Sequence, residues 1–156
     1  VGKTNDNTIT SYVLPRFISS DKYLYNVDYE YNGIITEAAF ADKQFFSGKG
    51  AGGHATGSAV LSDISALSYG YRYEYKKYLQ GTVTNYTRDF RIEIYLRHKN
   101  ENDRELFNFE EISEQYHSNT CNYVIGVVNL SRLYELRKQL QGMDVFIINT
   151  GRKDIN

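Results

Sequence analysis

The sequence predicts an α+β protein in which a mixed or antiparallel sheet leads through a glycine-rich loop into a helix. Two observations predict it. The segment from Gly48 to Gly57 holds five glycines in ten residues and then continues into a helical pattern. Beyond residue 88, apolar residues with a period of two alternate with others at helical spacing. The sequence therefore predicts a loop-and-helix region followed by a second region of alternating strands and helices.

The glycine-rich segment is predicted to connect a strand to a helix. Phe45 and Phe46 end a short apolar run that is typical of a strand, and the glycines after it permit positive φ angles and close approach. Either Thr56 or Ser58 is expected to cap the helix. Its apolar residues recur at helical spacing: Val60, Leu61, Ile64 and Leu67. The free N–H groups at such a helix start attract phosphate or carboxylate.

Two other interpretations of the loop remain open at this point. Gly48-x-Gly50-x-x-Gly53 matches the dinucleotide-binding fingerprint, with Glu74 at about the distance of the ribose-binding acid. Downstream of Glu74, however, the chain does not continue as the regular βα units that such a fold requires. The glycines could also serve only a tight strand-to-helix turn.

The segment from Tyr12 to Leu67 resembles the late part of the catalytic domain of homoserine dehydrogenase. The resemblance is carried by VLPRFI from Val13 to Ile18, by Asp21, Leu24 and Val27, by Asn32-Gly33-Ile34, and by G-x-G-A-G-G-x-x-T-x-S-A-V-x-x-D from Gly48 to Asp63. Lys49 and Ala55 stand where the family usually has proline, and Gly57 stands where it usually has alanine.

The resemblance implies a parent enzyme that interconverts aspartate semialdehyde and homoserine with NADP or NAD, in threonine and methionine biosynthesis. Residues 1–80 would then be the C-terminal part of its catalytic and dimerisation domain, in a homodimer. The catalytic lysine would lie upstream, so no catalytic residue, no activity and no cofactor are expected in this chain alone. The loop would approach the cofactor through the predicted cofactor-binding residues Gly48, Gly50, Ala51, Gly52 and Thr56.

Residues 88–156 are predicted to form a βαβαβ unit. Alternation at Phe90, Ile92, Ile94 and Leu96 predicts the first strand, and spacing at Leu106, Phe109, Ile112 and Tyr116 predicts a helix. The remaining elements are a strand at Tyr123–Val128, a helix at Ser131–Leu140 capped by Ser131, and a strand at Asp144–Asn149. This order resembles a ferredoxin-like ACT domain, which has one more strand. That strand could be the tyrosine-rich segment, a stretch at Ser118–Cys121, or absent.

An ACT-like unit suggests an amino-acid effector such as threonine, but its effector site normally includes a glycine-containing turn after the first strand. Here that connection, His98–Phe107, has no glycine and several charges. Effector binding is therefore not expected. We expect a role in assembly instead. A stand-alone amino-acid-binding regulatory module and a purely structural dimerisation module are the alternatives to an enzyme fragment.

Tyr69, Tyr71, Tyr73 and Tyr75 alternate in a segment that predicts a strand, either at a partner interface or at a sheet edge. The polar stretch from Leu79 to Thr87 is the best candidate for a linker, so a domain boundary is expected at Gln80–Arg88.

Composition excludes several classes of function. A net charge of −1 argues against a nucleic-acid partner, and no apolar run approaches the length of a membrane span. The single cysteine, Cys121, allows no intrachain disulfide, which favours a cytoplasmic protein. Three scattered histidines without ligand spacing predict no metal site: His54, His98 and His117.

Overall fold

The computed structural model describes residues 2–5, 8–38, 40–71, 84–152 and 155, which fall into two compact units. One, the sheet unit, combines Val1–Phe17 with Gly81–Asn156, and the other, the loop unit, is Ile18–Gln80. The domain limits 1–80 and 88–156 stay a prediction. Residues 1–17 cluster with the later part of the chain, which sequence periodicity did not indicate.

The described strands are β1 (Gly2–Asn5), β2 (Thr8–Ser11), β3 (Tyr31–Ala38), β4 (Asp42–Lys49), β5 (Asn85–Tyr86), β6 (Arg91–His98), β7 (Glu111–His117), β8 (Asn122–Asn129) and β9 (Val145–Asn149). The described α-helices are α1 (Gly53–Ser68), α2 (Glu101–Glu105) and α3 (Leu130–Leu136). Short 3₁₀ turns span Tyr23–Asn26 and Gln139–Gly142. The α+β class predicted from the sequence is confirmed.

The core of the sheet unit lies on one face of a four-stranded sheet with the order β7-β8-β6-β9, in which all neighbours are antiparallel. Strand β6 is central, and its alternate residues Ile92, Ile94 and Leu96 are buried on that face. They form one cluster with Phe107 and with the leucines of α3. The predicted first strand is thus confirmed, because a half-buried strand alternates in this way.

The helix predicted from Leu106 to Tyr116 is wrong. The chain forms only the short helix α2 before Leu106, and strand β7 occupies Glu111–His117. Apolar residues three and four apart mimicked a helical face, but the backbone of this segment pairs with β8 instead, with a β-bulge between Ile112 and Glu114. The unit is therefore β-α-β-β-α-β, and the additional strand lies at none of the places considered from the sequence.

The predicted strands over residues 123–128 and 144–149 correspond to β8 and β9, but the helix between them differs from the prediction. Helix α3 ends at Leu136, and the chain continues into a 3₁₀ turn. Its cap is Asn129 rather than Ser131, since the Asn129 side chain accepts a hydrogen bond from the Ser131 backbone N–H at 3.0 Å. Asparagine is a strong N-cap residue.

The first residues join the sheet unit through backbone pairing. Strand β2 pairs antiparallel with β1 and parallel with β5. Further along, the Asn149 N–H donates to the Pro15 carbonyl at 2.9 Å, and Arg16 forms an isolated parallel bridge with Asn149. These long-range bonds explain why residues 1–17 cluster with the four-stranded sheet.

The loop unit consists of the β3–β4 hairpin followed by α1. The two strands pair antiparallel from Tyr31 opposite Lys49 to Ala38 opposite Asp42. The 3₁₀ turn at Tyr23–Asn26 lies against the hairpin, where Tyr23 stacks on Phe45 with ring centroids 5.4 Å apart.

Most of the tyrosine-rich segment and of the predicted linker lies outside the described residues. Tyr69 caps the C-terminus of α1 and is not in a strand. None of the described helices is both long enough and apolar enough to cross a membrane.

The close approach of β7 to β8 predicts a strong effect of Gly126→Ala. A Cβ at this position would collide with the Glu111 backbone oxygen and lie 2.7 Å from Cδ1 of Phe109. Because the backbone of the bulge must shift, we expect a loss of about 1–3 kcal/mol in the free energy of unfolding, measured by urea denaturation. Gly142→Ala is the control, since a Cβ there meets nothing within 4 Å. Equal stability of the two variants would contradict the bulge geometry.

Candidate functional site

The glycine loop starts at the end of the β3–β4 hairpin. Gly48 lies opposite Asn32 in the ladder, and the Gly50 N–H donates to the Glu30 carbonyl at 3.0 Å, which extends the pairing by one bond. A Cβ at Gly50 would collide with the Asn32 side chain. The hairpin therefore holds the loop close to the start of β3.

Gly52 turns the chain from the hairpin into α1. Its φ of 104° and ψ of 151° lie in a region that is essentially restricted to glycine. The helix begins at Gly53, with the Thr56 N–H donating to the Gly52 carbonyl at 3.1 Å. The predicted caps, Thr56 and Ser58, are therefore wrong: both residues lie inside the helix, because positive φ at Gly52 allows it to start earlier.

The start of α1 has no capping side chain. Gly52 has no side-chain atom that could accept a hydrogen bond, and none caps the helix. The first N–H groups of an α-helix have no partner within the helix, and they carry a partial positive charge. The helix start can thus donate hydrogen bonds to an anionic group.

An open cavity of about 270 Å³ lies at this helix start. Its lining consists of Glu30, Lys49, Ala51, Gly52, Gly53, His54 and Ala55. Of the five predicted cofactor-binding residues, Ala51 and Gly52 line the cavity. Gly48 and Gly50 position the loop, and Thr56 lies in the first turn of α1.

Lys49 and Glu30, which both line this cavity, form an ion pair. Lys49 Nζ lies 2.8 Å from Glu30 Oε1, and the ammonium group is 5.5 Å from the centroid of the Tyr31 ring. This hydrogen bond lowers the pKa of Glu30 below its usual value. In the sequence, Lys49 stands out only as a residue in a position where the family usually has proline. Its pairing with Glu30 could have been predicted from the hairpin register, which places position 49 opposite position 31.

The dinucleotide fingerprint is not supported by the strand that precedes the loop. That strand, β4, is half of a two-stranded antiparallel hairpin. The fingerprint requires a parallel βαβ unit. Glu74, the predicted ribose-binding acid, lies outside the described residues.

A second open cavity, of about 360 Å³, lies beside the 3₁₀ turn of the loop unit. Asp21 and Lys22 are in its lining, together with Tyr23 and Phe45. Hydrogen bonds from Lys22 and from Ser19 lower the pKa of the Asp21 carboxyl to about 2. The carboxylate therefore stays charged throughout the physiological range.

Metal binding finds no support among the described residues, where no group of three or more His, Cys, Asp or Glu side chains could hold an ion. His54 is exposed beside the loop, whereas His98 is buried and its Nδ1 lies 3.1 Å from the Asn100 carbonyl.

One family model matches the chain, over fewer than half of its 156 residues. Residues 1–65 match the family described as homoserine dehydrogenase, which confirms the resemblance found in the sequence. No curated protein matches the chain.

Among solved structures, the chain is similar to a homoserine dehydrogenase from Thiobacillus denitrificans, with a TM-score of 0.60 and 17% identity. The match covers 96% of this chain and 40% of that one, so the chain spans well under half the length of the enzyme. Homoserine dehydrogenase from S. aureus gives 20% identity over 94% of this chain and 37% of its own, with a TM-score of only 0.44.

The turn at Gly52 predicts different effects for two adjacent glycines. Gly52→Ala places a side chain at positive φ, and we expect it to lower the free energy of unfolding by about 1–3 kcal/mol. Gly53→Ala is the matched control, because a Cβ there meets nothing within 4 Å and alanine favours helix. Urea denaturation followed by far-UV circular dichroism measures both. A Gly52→Ala variant as stable as Gly53→Ala would contradict the position of the helix start.

The ion pair between Asp21 and Lys22 predicts that the Asp21 carboxyl titrates at low pH. Because the pKa of Asp21 is about 2 and its usual value is 3.8, its partners stabilise the folded state above pH 3.8 and lose this effect as the pH falls through 2. Lys22→Gln removes the largest cause, so the pKa should rise toward 3.8 in an NMR titration of the carboxyl carbon. An unchanged pKa would show that Lys22 is not the partner.

Proposed function

Because residues 1–65 match the homoserine dehydrogenase family, we propose that this chain is a C-terminal portion of such an enzyme. The parent would be an oxidoreductase that interconverts aspartate semialdehyde and homoserine with NAD or NADP. The glycine loop carries the proposal, since it lies within the matched residues and ends at the uncapped start of α1.

The loop would contribute to cofactor binding through its backbone. Gly48, Gly50, Ala51, Gly52 and Thr56 are the proposed cofactor-binding residues, and the absence of a cap at Gly52 fits a negatively charged group at the helix start. The nicotinamide would supply hydride transfer when bound. The loop itself would position the cofactor and exclude water, while proton transfer would fall to the lysine that the family carries upstream.

The apolar face of α1 supports a larger parent. The helix has no buried residue, and its apolar stripe is largely exposed: Val60 at 53%, Leu61 at 67%, Ile64 at 56% and Leu67 at 69%. Contiguous exposed apolar surface of this kind marks an interaction site. We assign it to contact with the nucleotide-binding part of the enzyme.

The sheet unit would be the regulatory domain of the parent. Its β-α-β-β-α-β order is that of ferredoxin-like folds, to which ACT domains belong. The connection after β6 contains α2 and no glycine, so binding of an effector such as threonine is not proposed. We propose that the unit serves assembly in a homodimer, and that the enzyme acts in the cytoplasm.

The exposed face of α1 gives a direct test of the proposal. The chain should form a complex with the separately produced nucleotide-binding part of a homoserine dehydrogenase, detected by analytical ultracentrifugation. Ile64→Asp places a charge within the apolar stripe and should weaken the complex at least tenfold, about 1.4 kcal/mol.

Ser62→Asp is the matched control, since Ser62 is exposed on the opposite side of the same helix and its substitution should leave the complex intact. Equal effects of the two variants, or no complex with the unmodified chain, would contradict the assignment of this face.

A further inference from the structure

The face of the four-stranded sheet that points away from the buried cluster carries a row of four side chains, one from each strand. The strand register pairs Tyr116 with Tyr123 and Tyr123 with Arg97. Arg97 in turn pairs with Phe146. Directly paired residues lie on the same face of a sheet, and this face is the outer one because Arg97 alternates with the buried Leu96. We call the four side chains the outer row.

The outer row is an open surface rich in aromatic rings. Tyr116 is 49% exposed and Phe146 is 45% exposed. The Tyr116 and Tyr123 rings stack with their centroids 5.4 Å apart, and the Arg97 guanidinium carbon lies 6.0 Å from the centroid of the Phe146 ring. Aromatic residues and arginine are enriched where proteins bind one another. The composition of the outer row therefore indicates a protein-binding surface.

The outer row is complementary to its own reverse. From β7 to β9 it reads tyrosine, tyrosine, arginine, phenylalanine. A twofold axis parallel to the strands, between two facing sheets, would lay β7 over β9 of a second copy and β8 over its β6. Tyr116 would then face Phe146 of the second copy as an aromatic pair. Tyr123 would face Arg97 of the second copy as a cation–π pair, and the axis would form each contact twice.

The charges beside the outer row match across the same axis. Glu114 accepts a hydrogen bond from the Tyr123 hydroxyl, so a guanidinium group laid over the Tyr123 ring would lie close to a carboxylate. The ion pair of Arg97 within its own chain is weak, because Asp144 Oδ1 lies 3.8 Å away and both side chains are more than half exposed. Arg97 is therefore available to a second copy.

The edges of the sheet are less suited to contact between copies. On β7, Glu111 and Glu114 would bring like charges together if two such strands lay side by side. The β-bulge between Ile112 and Glu114 also interrupts the regular backbone that edge pairing needs. On β9, the Asn149 N–H already donates to the Pro15 carbonyl. The outer face is thus the surface through which the sheet can meet another sheet.

We propose that the outer row is the contact surface of a homodimer in which two copies of this chain stack their four-stranded sheets face to face. Stacked sheets pack about 10 Å apart with their strands within about 30° of one another, so that side chains of the two facing surfaces interdigitate. The proposal rests on the assembly role proposed for the sheet unit and names the surface that carries it.

Sedimentation equilibrium of the whole 156-residue chain tests this surface. The chain should dimerise with a dissociation constant below about 100 μM. Arg97→Glu places a carboxylate near Glu114 of the second copy, and Glu114→Arg brings two cations together, so each should raise the dissociation constant about tenfold or more. The double variant restores opposite charges and should recover most of the affinity. Lys138→Glu is the matched control, because it makes the same change of charge at an exposed residue after α3 and should leave the dissociation constant unchanged.

Cross-linking tests the direction of the axis. Tyr116→Cys combined with Phe146→Cys, in a Cys121→Ser background, should give a disulfide-linked dimer under mild oxidation. Three strand spacings, about 14 Å, separate the two edge strands within one chain, and a disulfide needs Cα atoms within about 7 Å, so the bond must join two copies. Tyr116→Cys alone, in the same background, should not cross-link.

The outcomes separate the surface from the assembly role. A chain that sediments as a monomer up to about 500 μM would overturn both. A dimer that Arg97→Glu weakens no more than Lys138→Glu does, or a Tyr116→Cys variant that cross-links by itself, would overturn the surface alone. Circular dichroism checks that each variant folds. If the charge variants do not fold, the cross-link decides, and its absence in the folded double-cysteine variant would overturn the surface.

Discussion

The positive φ of Gly52 determines where α1 starts, and the geometry of the loop unit depends on it. Strand β4 ends at Lys49, so only three residues separate the hairpin from the helix. A turn this short needs a backbone conformation that side chains other than hydrogen do not tolerate. The same residue leaves the helix without a capping side chain, beside a cavity that Lys49 and Glu30 also line.

Sequence periodicity predicted correctly the elements in which burial of one face makes apolar residues recur at regular spacing. Ile92, Ile94 and Leu96 alternate because β6 is central in its sheet and buries one face. Periodicity did not reveal strand β7, because it is an edge strand and all its residues are exposed. Because no face of β7 is buried, its apolar residues do not alternate with a period of two, and a β-bulge interrupts its pairing with β8. The spacing of the apolar residues therefore resembled that of a helix.

The candidate site was predictable in part for a similar reason. Gly52 is visible in the sequence because its positive φ requires glycine, and Gly50 because a Cβ there would collide with the Asn32 side chain, whereas Gly48 has room for a side chain. The cap residues were misplaced because Thr56 and Ser58 are good cap residues anywhere, and only the φ of Gly52 reveals the earlier start. The ion pair of Lys49 with Glu30 depends on strand register, which local sequence does not encode. The apolar residues of α1 recur at helical spacing, as the sequence predicted, yet no residue of the helix is buried.

The exposed apolar residues of α1 and its uncapped start are the two structural features that support the proposed place of this chain in a larger enzyme. The measurement that tests this account most directly is the homoserine-dependent reduction of NAD or NADP by this chain combined with the upstream part of a homoserine dehydrogenase, which comprises the nucleotide-binding domain and the segment with the catalytic lysine. The account predicts turnover in the mixture and none with either component alone. A stable complex of the two components that shows no homoserine-dependent reduction would contradict it.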